Sequence, residues 1–295
     1  MQPANRRLPP VPATLLLLAA LLGLTACAGG FADAPPTLVS STQPAASTDA
    51  PAPAGADAGP AEAAAPTGEP APTIEPPTPT PADPFPGEGP WPVTFKAADG
   101  VNLAGTVYGK GDTAFVLVPM YPGEPVAWEG FANQAAAEGF RALAFDLRGH
   151  GESAGEADFT AAPDDIAGAL AYLREHGVES IVLAGAGMST IPAIQAAGEE
   201  GAVDGLALLS ALREDGGVEL TNADLEALAV PTLWLAARVD MTHNTEEMAE
   251  RAASPVKDVW IYEGTSLRGT YLFEGADAAD VTRRLLEFAA SVAEG

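Results

Sequence analysis

A series of short, uninterrupted apolar runs separated by helix-length segments does most to limit the folds open to this chain. The runs lie at 114–118, 142–145, 181–184, 206–209, 232–235 and 259–262, with Thr232 the one polar residue among them. A strand that is apolar at every position is buried on both faces, and the natural setting for it is a parallel sheet covered on each side by helices. The intervening segments supply those helices. One pattern runs from Trp128 to Glu138 and closes at Gly139; another spans 163–176 with Ile166, Leu170 and Leu173 on one face; a third begins near Thr190; the last covers 278–293. Two leading strands, at 93–95 and 103–108, flank the turn Ala98-Asp99-Gly100. The alternation predicts an α/β fold: a mostly parallel sheet of about eight strands with helices on both faces. About 205 residues follow Pro90, enough for one sizeable core.

The residues before Trp91 cannot take part in such a core. Of the 28 prolines, 20 precede Trp91, and the stretch from Ala28 to Pro90 is otherwise Ala, Thr and Gly with scattered acids. A segment with so little to bury cannot recover the entropy of ordering. It reads as an extended stalk, at ~3.1 Å per residue where proline dominates, whose removal is expected to leave the domain's stability unchanged. Ahead of it, Arg6 and Arg7 precede an apolar run from Val11 to Ala26. A charged start and a short apolar core make a secretion signal, and the run falls short of the ~20 residues of a spanning helix. The run ends in Leu24-Thr25-Ala26-Cys27, which resembles the lipobox of bacterial lipoproteins; that resemblance implies a lipid on Cys27, the one cysteine in the chain. The expected organisation is a signal peptide at 1–26, a lipidated cysteine and stalk at 27–90, and a folded domain at 91–295, extracytoplasmic and attached to a membrane through the lipid.

Charge narrows the partners. The net charge is −26, and cleavage after Ala26 would remove Arg6 and Arg7 but no carboxylate, making it −28. Such a surface repels nucleic acid phosphates and offers no basic patch to anionic headgroups. With a single cysteine, no intramolecular disulfide can form. No cluster has metal-ligand spacing, and Gly185-Ala186-Gly187 lacks the later glycine and acid of a dinucleotide site, so neither metal nor cofactor is expected.

The segment Phe145-Asp146-Leu147-Arg148-Gly149-His150-Gly151-Glu152-Ser153 resembles the turn after the fourth strand of the α/β-hydrolase fold, in its dienelactone-hydrolase-like and serine-peptidase-like branch. Tyr121-Pro122-Gly123-Glu124, followed by Trp128, resembles an oxyanion loop and first helix of that branch. The resemblance covers residues 92 to about 291 and leaves little room for a lid between Leu209 and Pro231. It implies a nucleophile on a tight strand–turn–helix elbow, an acid after a later strand and a histidine after the last. The elbow here reads Gly185-Ala186-Gly187-Met188-Ser189-Thr190, so Gly187 stands at the nucleophile position; Asp240 stands at the acid position; Arg268, before Gly269-Thr270, stands where the histidine belongs. Glycine has no nucleophile, and an arginine stays protonated and cannot act as a base. The implied oxyanion donors are backbone N–H groups near Met120, Tyr121 and Met188. His150 belongs to the strand-four turn and is structural in the family.

Two displaced sets remain to be weighed. Ser189 with His243 and Asp240 would rebuild a triad if all three met within ~3 Å, although Ser189 at a helix start also reads as an N-cap. Asp165 with Asp240 would make a carboxylate pair. His176 at a helix end reads as a partner for the last carbonyls. The chain therefore reads as a lipid-anchored pseudo-hydrolase that binds a small molecule or a protein. The rivals are an esterase or peptidase using Ser189, His243 and Asp240, and a surface domain with no ligand.

Overall fold

A computed structural model describes residues 85, 89–120, 125–199, 201–215, 217–238 and 245–294. The strands are β1 (Trp91–Lys96), β2 (Asn102–Tyr108), β3 (Thr113–Val118), β4 (Arg141–Phe145), β5 (Ser180–Ala186), β6 (Gly205–Leu209), β7 (Glu214–Asp215), β8 (Val218–Glu219), β9 (Thr232–Ala237) and β10 (Lys257–Tyr262). The helices are α1 (Glu129–Ala137), α2 (Ala162–Glu175), α3 (Thr190–Ala197), α4 (Asn222–Glu226), α5 (Thr245–Arg251) and α6 (Ala278–Ala293). Eight strands form one sheet in the order β1-β2-β4-β3-β5-β6-β9-β10. β2 runs antiparallel to both its neighbours, and every other pairing after β4 is parallel.

Strand periodicity sorts side chains between two cores. On β3, Ala114, Val116 and Val118 face one side, with Ile166, Leu170 and Leu173 of α2 and Ile191 and Ile194 of α3. Phe115 and Leu117 face the other, against Trp128 and Phe131 at the start of α1 and Val281, Leu285 and Phe288 of α6. The two largest wholly buried side chains keep their indole N–H groups bonded: Trp128 donates to the Val118 carbonyl at 2.9 Å and Trp234 to the Thr232 hydroxyl at 2.9 Å. Both apolar bulk and donor are thus accommodated.

The helices expected from Trp128 and Pro163 occur with shifted starts, because single 3-10 turns at Pro125–Trp128 and Phe159–Ala161 lead into them. Four short elements went unforeseen. The hairpin β7–β8 and the short α4 lie between β6 and β9, and α5 follows β9. α4 carries a capping box, with Thr221 and Asp224 each bonding the other's backbone N–H, a signal legible in the sequence. Among the described residues this hairpin and helix are all that stand in the place of a lid, and no helix is long and apolar enough to cross a membrane.

The turn after β4 is locked from both sides. The Ser153 hydroxyl donates to the Asp146 carbonyl at 2.7 Å and accepts from the Ala104 N–H at 2.9 Å. Asp165, fully buried on α2, accepts from the Arg148 Nε and Nη2 at 2.9 and 2.7 Å and from its backbone N–H at 2.9 Å. Burial pushes the Asp165 carboxyl up while Arg148 pulls against it, and the hydrogen bond from Arg148 holds Asp99 below the usual carboxylate range. Asp165 is therefore half of a structural ion pair with Arg148, while Asp240, weighed as its partner, lies outside the described residues.

The signal segment and nearly all of the stalk, with Cys27, lie outside the described residues. The expected boundary at Trp91 nevertheless leaves out one residue that packs. Phe85 is buried, with its ring 5.4 Å from Trp91 and 5.7 Å from His176 and with the Arg141 guanidinium 5.7 Å from its centroid. Burying one Phe is worth about 1.5–3 kcal/mol. A chain starting at Trp91 is thus expected to unfold at lower urea than one starting at Asp83, by that amount. Coincident midpoints would show that Phe85 adds nothing. The same measurement tests the expectation that about residues 28–90 can be removed without effect.

Candidate functional site

Parallel strands deliver their carboxyl ends to one edge of the sheet, and the loops leaving β3, β5, β6 and β10 meet there. β5 ends at Ala186, and the chain turns through Gly187 with φ of +56° into a 3-10 turn, Gly187–Ser189, and then α3. Glycine adopts this left-handed geometry without the steric cost a side chain would bring. The close approach of turn and helix also needs a small residue at Gly185, where an added Cβ would sit 3.0 Å from Ala193 Cβ and from the Ser189 carbonyl oxygen.

The elbow surrounds a cavity of about 280 Å³. Its floor is Gly187 with the apolar side chains of Met120, Met188, Leu212 and Leu267. Among the described residues Arg268, Asp215, Ser266 and Tyr271 also line it, and all four are exposed. Of the residues the sequence assigned to a catalytic site, Gly187 and Arg268 come together here, as do Met120 and Met188 from the oxyanion assignment. Tyr121, Asp240 and His243 lie outside the described residues.

Met120 fills the space beside Gly187 and Gly269. A Cβ placed on Gly187 would lie 3.0 Å from its Cγ and 3.3 Å from its Sδ. A Cβ on Gly269, where φ is +53°, would come within 2.6 Å of the same sulfur. The thioether thus lies between two glycines, on the nucleophile turn and beside the histidine position.

Ser189 does not cap α3, nor does it line the cavity. It is fully buried, and its hydroxyl donates to the Pro119 carbonyl, tying the elbow to the end of β3. His150 is held in the strand-four turn, Nδ1 at 2.9 Å from the Arg148 carbonyl oxygen. His176 sits at the end of α2 with Nδ1 2.7 Å from the Tyr172 carbonyl oxygen and its ring on Tyr172. Among the described residues no group of three or more His, Cys, Asp or Glu side chains could hold a metal ion.

Two residues that shape the site escaped the sequence reading. The Thr190 hydroxyl donates to the Gly187 carbonyl at 2.6 Å and accepts from the Leu212 N–H at 3.0 Å, so it fastens the elbow to the segment after β6. Ser210 follows β6 with φ of +56°, the one described non-glycine residue with positive φ. It is fully buried, and its hydroxyl accepts from the Gly269 N–H at 2.9 Å. Strain of this kind costs on the order of 1–3 kcal/mol and persists only where its surroundings hold it; here it orients the loop that carries Arg268. A serine after an apolar run gives no sign of this in sequence.

Residues 113–259 match the family model described as the alpha/beta hydrolase fold. Solved structures similar to the chain include a Pyrococcus furiosus esterase, at 16% identity and a TM-score of 0.57 over 69% of this chain and 93% of that one. A dienelactone hydrolase from Anabaena variabilis aligns at 20% identity and a TM-score of 0.57 over 68% of this chain and 96% of that one. A thermophilic esterase from Thermogutta terrifontis, solved with malate bound, aligns at 21% identity and a TM-score of 0.56 over 68% of this chain and 99% of that one. No curated protein matches the chain. Sheet order, elbow, strand-four turn and family match agree: this chain is an α/β-hydrolase-fold protein.

Proposed function

We propose that this protein is a membrane-anchored lipoprotein whose α/β-hydrolase-fold domain binds a ligand at the former catalytic site and does not hydrolyse it. The observation that carries the reading is Gly187 at the elbow with Met120 packed against it. A serine hydrolase needs a hydroxyl at that turn and a base beside it. Here the turn has no side chain, Arg268 holds the base position, and a thioether lies in the gap. What survives is a concave, mostly apolar cavity with a few polar groups, which is the anatomy of a binding site.

The rival esterase requires Ser189 as nucleophile. Its hydroxyl is buried and engaged by Pro119, so it would have to break that bond and swing out of the core to reach a substrate. The purified full-length chain should therefore take no label from a fluorophosphonate probe and should hydrolyse short-chain esters no faster than background. Stoichiometric labelling that disappears in Ser189→Ala would replace the binding reading with the esterase one.

Anchoring rests on Leu24-Thr25-Ala26-Cys27. Cys27→Ser should lose incorporation of labelled acyl chains and move the protein out of the membrane fraction. An acidic chain with no basic patch has no second route to anionic lipid. Acyl labelling of the mutant at the wild-type level would rule the lipid anchor out.

A further inference from the structure

We infer that two copies of this chain join edge to edge through β10, antiparallel about a twofold axis at Trp260, so that their sheets run on as one. The large sheet has two edges among the described strands, β1 and β10. An edge strand offers a row of backbone N–H and C=O groups to any chain that can pair with it, and proteins blunt such edges with proline and charge. β1 is blunted in this way, by Pro92 near its start and Lys96 at its end. β10 has charge only at its first two residues, Lys257 and Asp258, and then runs Val259-Trp260-Ile261-Tyr262. Trp260, 44% exposed, is the one tryptophan of the four that is not wholly or partly buried. The Arg284 guanidinium, 3.1 Å from its ring centroid, holds the indole in place at the rim of the sheet.

Backbone direction fixes how a second copy can pair. The carbonyls of Val256 and Tyr262 accept from the N–H groups of Thr232 and Arg238 at 2.8 and 2.9 Å. In the parallel register of β10 on β9, the backbone groups of Asp258, Trp260 and Tyr262 therefore face β9, and those of Lys257, Val259 and Ile261 face away from the sheet. A twofold axis between two residues would set outward groups against inward ones, so the axis falls on a residue. On Asp258 it would bring two carboxylates face to face, which is unfavourable. On Val259 it would set Lys257 against Ile261, and on Ile261 it would set Val259 against Glu263. On Trp260 it pairs Val259 with Ile261 of the second copy through backbone hydrogen bonds. The two Trp260 side chains then meet as a non-hydrogen-bonded pair, where side chains come closest, and Lys257 lies opposite Glu263 of the second copy. Lys257 and Glu263 are both exposed. This register alone joins an aromatic pair at the centre to opposite charges at both ends.

The test uses the full-length chain in detergent, with masses from sedimentation corrected for bound detergent. The wild type should pass from one chain to two as its concentration rises. Trp260→Lys puts like charges across the axis, and Val259→Pro removes an outward N–H that β9 does not use. Each should weaken the dimer by about tenfold or more, and a melting curve of each variant checks that the fold is kept. Register is read by a zero-length carbodiimide crosslink on a mixture of ordinary and heavy-isotope-labelled chains. Within one copy, Lys257 and Glu263 stand six residues apart on extended chain, roughly 20 Å, beyond the reach of such a link. A Lys257–Glu263 peptide carrying one light and one heavy half is therefore the expected product. A single-chain mass at every concentration up to about 100 μM would overturn the inference. So would a dimer that survives both variants, or one that gives no mixed Lys257–Glu263 link, since the contact would then lie elsewhere.

Discussion

Replacing Asp165 with alanine should cost the domain about 3–5 kcal/mol, the range for breaking a buried ion pair by removing one partner. In a domain of this size that lowers the melting temperature by roughly 6–20 °C. The size of the effect follows from what is left behind. Asp165 is wholly buried and accepts three hydrogen bonds from Arg148, one of them from the backbone N–H. Alanine would strand a guanidinium whose side chain is 9% exposed, with only Asp99, 38% exposed, still bonded to it at 2.7 Å. Asp99 lies in solvent and cannot replace a buried counter-charge, so Asp99→Ala should cost far less. The double variant Asp165→Ala, Arg148→Met should be more stable than Asp165→Ala alone, since the orphaned charge goes with its partner. Urea unfolding of the four chains decides the matter. A loss below about 1 kcal/mol for Asp165→Ala would mean that the guanidinium reaches water, and that this pair behaves as a surface one.

Placing a serine at Gly187 should fail in a specific way. Gly187→Ser alone is expected to gain no fluorophosphonate labelling and to lose about 1–3 kcal/mol of stability. The loss has two sources. A side chain at φ of +56° meets the steric cost glycine avoids, and its Cβ would press on Met120 Cγ at 3.0 Å. The inactivity has a separate source, because the members of a triad act as a unit worth roughly a millionfold in rate. The variant best placed to recover turnover is Gly187→Ser with Arg268→His and Met120→Ala, keeping Asp240. Removing the thioether clears the space between the serine and the new histidine. This triple variant should label faster than the same pair of changes with Met120 left in place. If Gly187→Ser alone labels as fast as an ordinary serine hydrolase, a base must be at hand that the Arg268 position does not supply, and the domain would be one substitution from catalysis.

Much of the fold was legible because its signals are local. Runs that are apolar at every position, such as 114–118 and 181–184, are too short for ordinary helices and fit strands covered on both faces, and they became β3 and β5 at the centre of the sheet. The period of Ile166, Leu170 and Leu173 marked α2, and the bounds of α6 were read correctly at both ends. That neither Gly187 nor Arg268 can itself serve as a nucleophile or a base is likewise read from residue type alone. Short elements were not legible. β7, β8, α4 and α5 are each too brief for a period to register, and their packing against the larger elements decides that they form.

Direction and juxtaposition belonged to the tertiary structure. Sequence put Ser189 at a helix start, where a cap is the ordinary outcome; the end of β3 brings the Pro119 carbonyl close enough to take its hydroxyl instead. Nothing local says that the Met120 sulfur will come to rest between Gly187 and Gly269, or that Ser210 will hold a left-handed backbone so that its hydroxyl can reach Gly269. Phe85 reads as stalk and packs as core. Asp165 was weighed as one member of a carboxylate pair and is half of an ion pair with Arg148. The physical reason is the same throughout. Residue type and periodicity are properties of a segment, whereas the contents of a cavity depend on where the ends of β3, β5, β6 and β10 converge, and only packing of the whole sheet fixes that.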